Sequence, residues 1–136
     1  MKHKISISCT KNNLEKIRSF VESTLTDYGI SELETHKLVL AVDEICANLI
    51  IHANKCDPDS HLDLKMIVIP LERIEFIIKD KGVGFDMSKY KEPKMNELVA
   101  TKRKGGLGLM LVKRIMDEIE FATEKNHNIC RLIKNL

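Results

Sequence analysis

Aromatic side chains are scarce. They make up 4% of the 136 residues, and tryptophan is absent. Proteins that hold single-stranded nucleic acid stack its bases on aromatic platforms, so that class of function has little support. A dominant charge is missing too. The 22 Lys and Arg nearly balance the 20 Asp and Glu, for a net charge of +2, which gives no electrostatic case for direct nucleic-acid binding. No run approaches the roughly 20 apolar residues that a membrane helix needs. Residues 1–20 lack the apolar centre of a secretion signal, so the expectation is a cytoplasmic chain without membrane contact. Cys9, Cys46, Cys56 and Cys130 include no pair at C-x-x-C spacing. That excludes the common zinc and dithiol motifs and leaves four scattered, reduced thiols.

What is present describes a globular chain. Hydrophobic residues are 43% and charged residues 31%, enough for one domain with its own core over residues 1–136. Residues 4–9, KISISC, alternate Ile5, Ile7 and Cys9 with polar neighbours, which predicts a half-buried strand. Asn12 or Asn13 then opens a helix with Leu14, Ile17, Val21 and Leu25 on one stripe, ending near Gly29. Ser31 and Glu34 form a capping box for a second helix running to about Ala53. HLDLKMIVI aligns Leu62, Leu64, Met66 and Val68. RIEFIIK aligns Ile74, Phe76 and Ile78, and Pro70–Leu71 marks the turn of an antiparallel hairpin. Residues 87–104 are irregular, with Pro93 and six basic residues: Lys89, Lys91, Lys94, Lys102, Arg103 and Lys104. A segment of that length in a small domain is functional or disordered. A third helix and two strands, about 118–124 and 129–134, complete an α/β two-layer sandwich with helices on one sheet face.

Three motifs carry chemistry. On the second helix Glu44 and Asn48 are four apart, so they lie only ~40° apart around the axis. Apolar Leu40, Ala41 and Ile51 flank them, whereas His36, Asp43 and Asn54 form the polar stripe. The pair fits a general base beside an amide oxygen able to hold Mg²⁺. It fits equally an amide–carboxylate bond on a buried face. In the second motif, DKGVGFD, the apolar strand stops at Asp80, and Gly82 and Gly84 follow. A carboxylate there can accept from an adenine amine while glycines admit the flat base. Asp-x-Gly also suits a plain hairpin turn, and Asp86 reads as a turn or cap residue. The third motif, Gly105–Gly106–Leu107–Gly108, opens a helix whose free N–H groups can receive phosphate, or it is a hinge. It has neither P-loop nor dinucleotide spacing.

The order of the three motifs is more specific than any one of them. Acid and amide on a helix, a hairpin ending in DxGxG, a basic segment, then GGLGL together resemble the GHKL ATPases: DNA gyrase, the heat-shock chaperone type, histidine kinases and mismatch-repair ATPases. EICAN is similar to the family's N-box, DKGVGFD to its first glycine box and GGLGL to its second, over about residues 30–135. Among these groups the bacterial anti-sigma factor serine kinases look most similar. They share the E-x-x-x-N-x-x-x-H helix, here Glu44, Asn48 and His52. A histidine kinase would need a phosphoacceptor hairpin upstream.

The resemblance implies a Bergerat-type ATP-binding fold with a mixed, mainly antiparallel sheet. It implies Glu44 as catalytic base and Asn48 as Mg²⁺ ligand. Asp80 would bind the adenine amine, with Gly82 and Gly84 shaping that wall. The GGLGL turn, Gly105, Gly106, Leu107 and Gly108, would receive the phosphates of ATP, with Arg103 or Lys104 reaching the γ-phosphate; a solvated basic lid explains those two equally well. His52 reads as packed at the helix end, and His3, His36, His61 and His127, which show no partner pattern in the sequence, read as surface residues. One departure stands out. The family often carries Gly-Thr on the last strand, where this chain has Asn128–Ile129–Cys130, which puts that adenine contact in doubt.

The expected function is phosphorylation of a serine on a STAS-type anti-anti-sigma protein, with sequestration of a sigma factor or other regulator, by a homodimer. Ile5, Ile7, Phe20, Val21 and an open sheet edge are the sequence's hint of a dimer. The alternatives are a module that binds nucleotide and sequesters a partner without transfer, and a plain ATPase.

Overall fold

The computed structural model describes residues 1–81, 104–124 and 127–136, with no account of the side chains of 104–107. Gly82, Gly84, Asp86, Arg103 and all of the basic 87–104 segment except Lys104 lie outside the described residues.

Strands β1 (Lys2–Ser8), β2 (His61–Ile69), β3 (Arg73–Asp80), β4 (Glu118–Glu124) and β5 (His127–Asn135) form one open sheet in the order β1-β2-β3-β5-β4. All four pairings are antiparallel. Helices α1 (Leu14–Asp27), α2 (Glu32–Asn48) and α3 (Lys104–Ile115) join them. Helix α2 packs against both α1 and α3.

Period two decides which face the helices cover. Leu62, Leu64, Met66 and Val68 of β2 and Ile74, Phe76 and Ile78 of β3 are all buried in one core with Ile17, Leu38, Leu109, Val112 and Leu132 from the other elements. Residues directly opposite in a ladder share a face. One such row runs Ile7, Leu62, Asp80, Asn128 and Thr123. Asp80 therefore ends β3 on the helix side of the sheet, continuing the apolar set Ile74, Phe76 and Ile78. The opposite face is mixed, with Lys65, Lys79 and Arg131 beside Ile67, Ile77, Ile129 and Ile133. There Glu75 accepts from Arg73 Nε at 3.1 Å and from Arg131 at 2.8 Å. These two guanidiniums hold its carboxyl below the ordinary range although burial works against them.

The helix ends follow local rules. Gly29, at φ +75°, closes α1 with Ile30 N–H donating to Leu25 O at 3.2 Å and Gly29 N–H to Thr26 O at 2.9 Å, the paired bonds of a left-handed cap. Ser31 Oγ accepts from Glu34 N–H at 3.2 Å to start α2. The predicted end of α2 near Ala53 is found, but its last turn is not α. Leu49–Ala53 is a π-helical turn, followed by Lys55 and Cys56 in the left-handed region at φ 51° and 56°.

Several expectations change in three dimensions. His52 is exposed rather than packed. His3 does have a partner, for its Nε2 lies 2.8 Å from the Tyr28 hydroxyl. Leu40, expected beside Glu44 as an apolar flank, is exposed. Ile7 and Val21 are spent on the chain's own core, so of the residues hinting at self-association only Ile5 and Phe20 keep partial access. The last strand, expected from about residue 129, already begins at His127.

Candidate active site

Glu44 and Asn48 sit in the last two turns of α2, half-buried. Helix α3 explains what they face. A Cβ built on Gly108 would collide with Glu44 Oε2 and come within 3.2 Å of Glu44 Cδ. The Glu44 carboxylate thus occupies the space that a side chain at position 108 would take, and such a side chain would displace it. The contact joins the acid of α2 to the first turns of α3, which hold Gly105, Gly106, Leu107 and Gly108 and also Lys104, expected in the irregular segment before the helix. One turn further along α2, Asn48 lines a small recess with Ile45, Leu49, Leu109 and Phe121. Burial, and secondarily the negative charge of Asp43, raises the pKa of the Glu44 carboxyl. Asp43 itself is turned outward to Arg18, at 3.0 Å. A carboxyl made more basic in this way is a better proton acceptor than an ordinary one.

Asp80 occupies a second position, at the end of β3, and is only 2% exposed. Its Oδ2 accepts from Asn54 Nδ2 at 2.9 Å. The sequence places Asn54 on the polar stripe of α2, but it is buried, at 4% exposure. The π turn accounts for the difference. A π-helical residue turns the chain by less than the ~100° of an α-helical one. Five of them rotate Asn54 away from the side of Asp43 and His36 and inward onto β3. No residue in LIIHA announces that widening, so the sequence gives no warning of it.

The thiols are scattered in sequence and gathered in space. Cys9 and Cys130 are both buried within the electrostatic reach of Asp80, and Cys46 within that of Cys9 and Cys130. Burial, with Asp80, Asp57 and Cys56 adding to it, pushes Cys9 up to about 11. Burial and Asp80 push Cys130 up to about 12, and burial raises Cys46 well above its ordinary value. Across the ladder from Asp80 stands Asn128, so the departure from Gly-Thr falls directly beside the candidate base-reading carboxylate.

Of the expected site residues, the structure brings Glu44, Asn48 and the 104–108 turn together and puts Asp80 on the same helix-facing side of the sheet. No group of three or more His, Cys, Asp or Glu among the described residues could hold a metal by itself. A single amide oxygen at Asn48 nonetheless suits Mg²⁺, which keeps most of its waters and takes its other ligands from substrate phosphates.

The thiol environment has a direct chemical consequence, because the thiolate is the reactive form. At pH 8 the native protein is expected to react rapidly with one equivalent of a disulfide reagent such as DTNB, at partly exposed Cys56. All four thiols should react in denaturant. Fast reaction of three or four thiols in the native protein would contradict the placement of Cys9, Cys46 and Cys130.

Comparisons with known proteins agree with this geometry. A family model described as histidine kinase-like ATPase domain matches residues 7–134. Serine-protein kinase RsbW of Bacillus subtilis is 29% identical over 116 residues, covering 82% of this chain and 70% of that protein. Serine-protein kinase RsbW of Bacillus pumilus is 32% identical over 110 residues, covering 76% and 67%. Among solved structures, the RsbU and RsbW domains of a Mycobacterium tuberculosis protein superpose with a TM-score of 0.67 at 12% identity, over 98% of this chain and 32% of that one. A chain of the SiaB–SiaC complex of Pseudomonas aeruginosa gives 0.65 at 11%, over 98% and 89%. At those identities the two structures establish the shared fold alone. No helix among the described residues is long and apolar enough to cross a membrane. The chain belongs to the histidine kinase-like ATPase domain family and is a relative of the serine-protein kinases RsbW.

Proposed function

We propose that the chain is an ATP-dependent protein serine kinase of the anti-sigma factor type. It transfers the γ-phosphoryl group of Mg·ATP to a serine of a STAS-type anti-anti-sigma protein, and it sequesters a sigma factor or similar regulator. The observation that carries the reading is the seating of the Glu44 carboxylate on Gly108. It puts a basic carboxyl against the helix turn whose N–H groups are suited to phosphate. The relatives' name, serine-protein kinase, supports the same chemistry.

In this reading Asp80 accepts from the adenine amine, and the Gly106 N–H, in the first turn of α3, is open to the phosphates. The Gly108 N–H, expected beside it, lies past the first four helical residues and bonds within the helix. Lys104 and Arg103 offer further positive charge to the γ-phosphate, and Gly82 and Gly84 form the wall beside the base. Asn48 would give Mg²⁺ one oxygen, and the ion would neutralise phosphate charge. Glu44 takes the proton from the serine hydroxyl as its Oγ bonds to the γ-phosphorus. The bond to the β–γ bridging oxygen breaks and ADP departs. A module that only binds nucleotide needs no base at this place, and a plain ATPase would use water where the serine stands.

A homodimer goes with this reading, using the exposed edge of β1 and the accessible parts of Ile5 and Phe20. Light scattering at micromolar concentration should give twice the 15.6 kDa chain mass. The monomer mass alone would remove the dimer and leave the kinase chemistry standing.

Glu44→Gln separates kinase from binder. Loss of a general base should lower transfer by about 10²–10⁴, with ATP affinity within about threefold of wild type. Stability should not fall. The folded-state pKa of Glu44 is raised, so above the ordinary carboxylate range the unfolded chain loses this proton more readily than the folded one. The stability tied to the protonated form is present at low pH and lost as pH rises towards the raised value. A neutral glutamine avoids that loss, so melting at pH 7 should be equal or higher. In wild type, transfer should also fall as pH drops through the raised Glu44 value, and that limb should vanish in the variant. Transfer at the wild-type rate by Glu44→Gln would leave the mechanism without its base.

A further inference from the structure

Asn54 is the polar side chain for which the proposed chemistry has no use. Its Nδ2 donates twice, to Leu49 O at 2.8 Å and to Asp80 Oδ2 at 2.9 Å. Its backbone N–H also donates to Leu49 O, at 2.9 Å. These bonds fix which end of the amide is which, because an oxygen in place of Nδ2 would face two acceptors. The other end, Oδ1, is buried and has no hydrogen-bond partner among the described residues. A buried acceptor without a donor is costly and calls for an explanation.

The position of the orphaned atom suggests one. Oδ1 belongs to the same planar amide that holds Asp80 Oδ2, so it stands within one side chain's width of the carboxylate proposed to read the base. The bonded side chains thus hold two acceptor groups, the Asp80 carboxylate and the Asn54 amide oxygen, in one neighbourhood. Adenine carries two hydrogens on its six-amino group, where hypoxanthine and guanine carry a carbonyl oxygen.

We propose that Asn54 is a specificity-determining residue: Nδ2 fixes the Asp80 carboxylate, and Oδ1 accepts the second hydrogen of the adenine amine that Asp80 reads with the first. The inference rests on the nucleotide reading above and adds a residue to it. Two adjacent acceptors reward an amine and repel a carbonyl oxygen, which gives discrimination for adenine over inosine and guanine nucleotides. The wide turn at Leu49–Ala53 is what delivers the second acceptor.

N6-methyl-ATP tests the claim in the wild-type protein. If Asp80 alone reads the amine, the methyl group rotates away and the analogue binds within about twofold of ATP. If both hydrogens are accepted, one bond is lost whichever way the methyl turns. A buried acceptor left without its donor then weakens binding by about tenfold. Calorimetry should show that tenfold gap in wild type, and Asn54→Ser should narrow it to within about threefold. A purely structural Asn54 would weaken ATP and N6-methyl-ATP equally and leave their ratio unchanged. Equal binding of the two nucleotides to wild type, or an unchanged ratio in Asn54→Ser, overturns the inference while leaving the nucleotide site intact. A wild-type protein that binds neither nucleotide overturns the site reading, and this inference with it. The wild-type comparison decides the matter even if Asn54→Ser does not fold.

Discussion

A carboxylate in the interior is the constraint around which this fold is arranged. Asp80 continues the inward row of β3 after Ile74, Phe76 and Ile78 and stays 2% exposed. A buried acid is tolerated only where donors meet it. One of those donors is Asn54, which belongs to a different element and reaches Asp80 from across the layer. It can do so because α2 ends in a π turn, and the chain leaves that turn through two left-handed residues, Lys55 and Cys56. A helix of regular pitch through Ala53 would present Asn54 to solvent and leave Asp80 without this bond.

The second dependence runs between the helices. Helix α2 carries Glu44 and Asn48 on the face turned towards α3, and Gly108 yields the volume that the Glu44 carboxylate fills. One helix therefore contributes at both positions of the site. Its last two α turns place the acid and amide beside the turn proposed to take the phosphates, and the π turn that follows brings Asn54 to the carboxylate proposed to read the base. The polar groups of the opposite sheet face, such as Glu75 between Arg73 and Arg131, stabilise the sheet without entering the site.

Much of this was legible in the residues because it follows from short-range rules. Alternation in HLDLKMIVI and RIEFIIK gave the hairpin and its buried face, since the strand period is two. Ser31 and Glu34 marked the start of α2, and Gly29 the end of α1. Glu44, Asn48 and the GGLGL turn stand out as candidates from spacing and resemblance, and the packing of Glu44 on Gly108 is a geometry that spacing alone does not give. What escaped depends on long-range geometry. A π turn has no signature residue, so Asn54 was assigned to the wrong side of its helix. The gathering of Cys9 and Cys130 near Asp80, with Cys46 beside them, is a product of strand register and helix packing, which C-x-x-C arithmetic cannot detect. Val21 was offered for self-association because an apolar stripe does not say which neighbour it meets, and the core claims it.

The claim on which the account rests is that Asp80 is buried to read an adenine rather than to stabilise the fold. Titration of Mg·ATP into wild type and Asp80→Asn, with melting followed on both proteins, tests it most directly. The amide keeps the size of the carboxylate and can still accept from Asn54, so the melting temperature should hold to within a few degrees while ATP affinity falls by tenfold or more, the scale of a lost charge-assisted hydrogen bond. Unchanged ATP affinity in a folded Asp80→Asn protein would contradict the account at its centre.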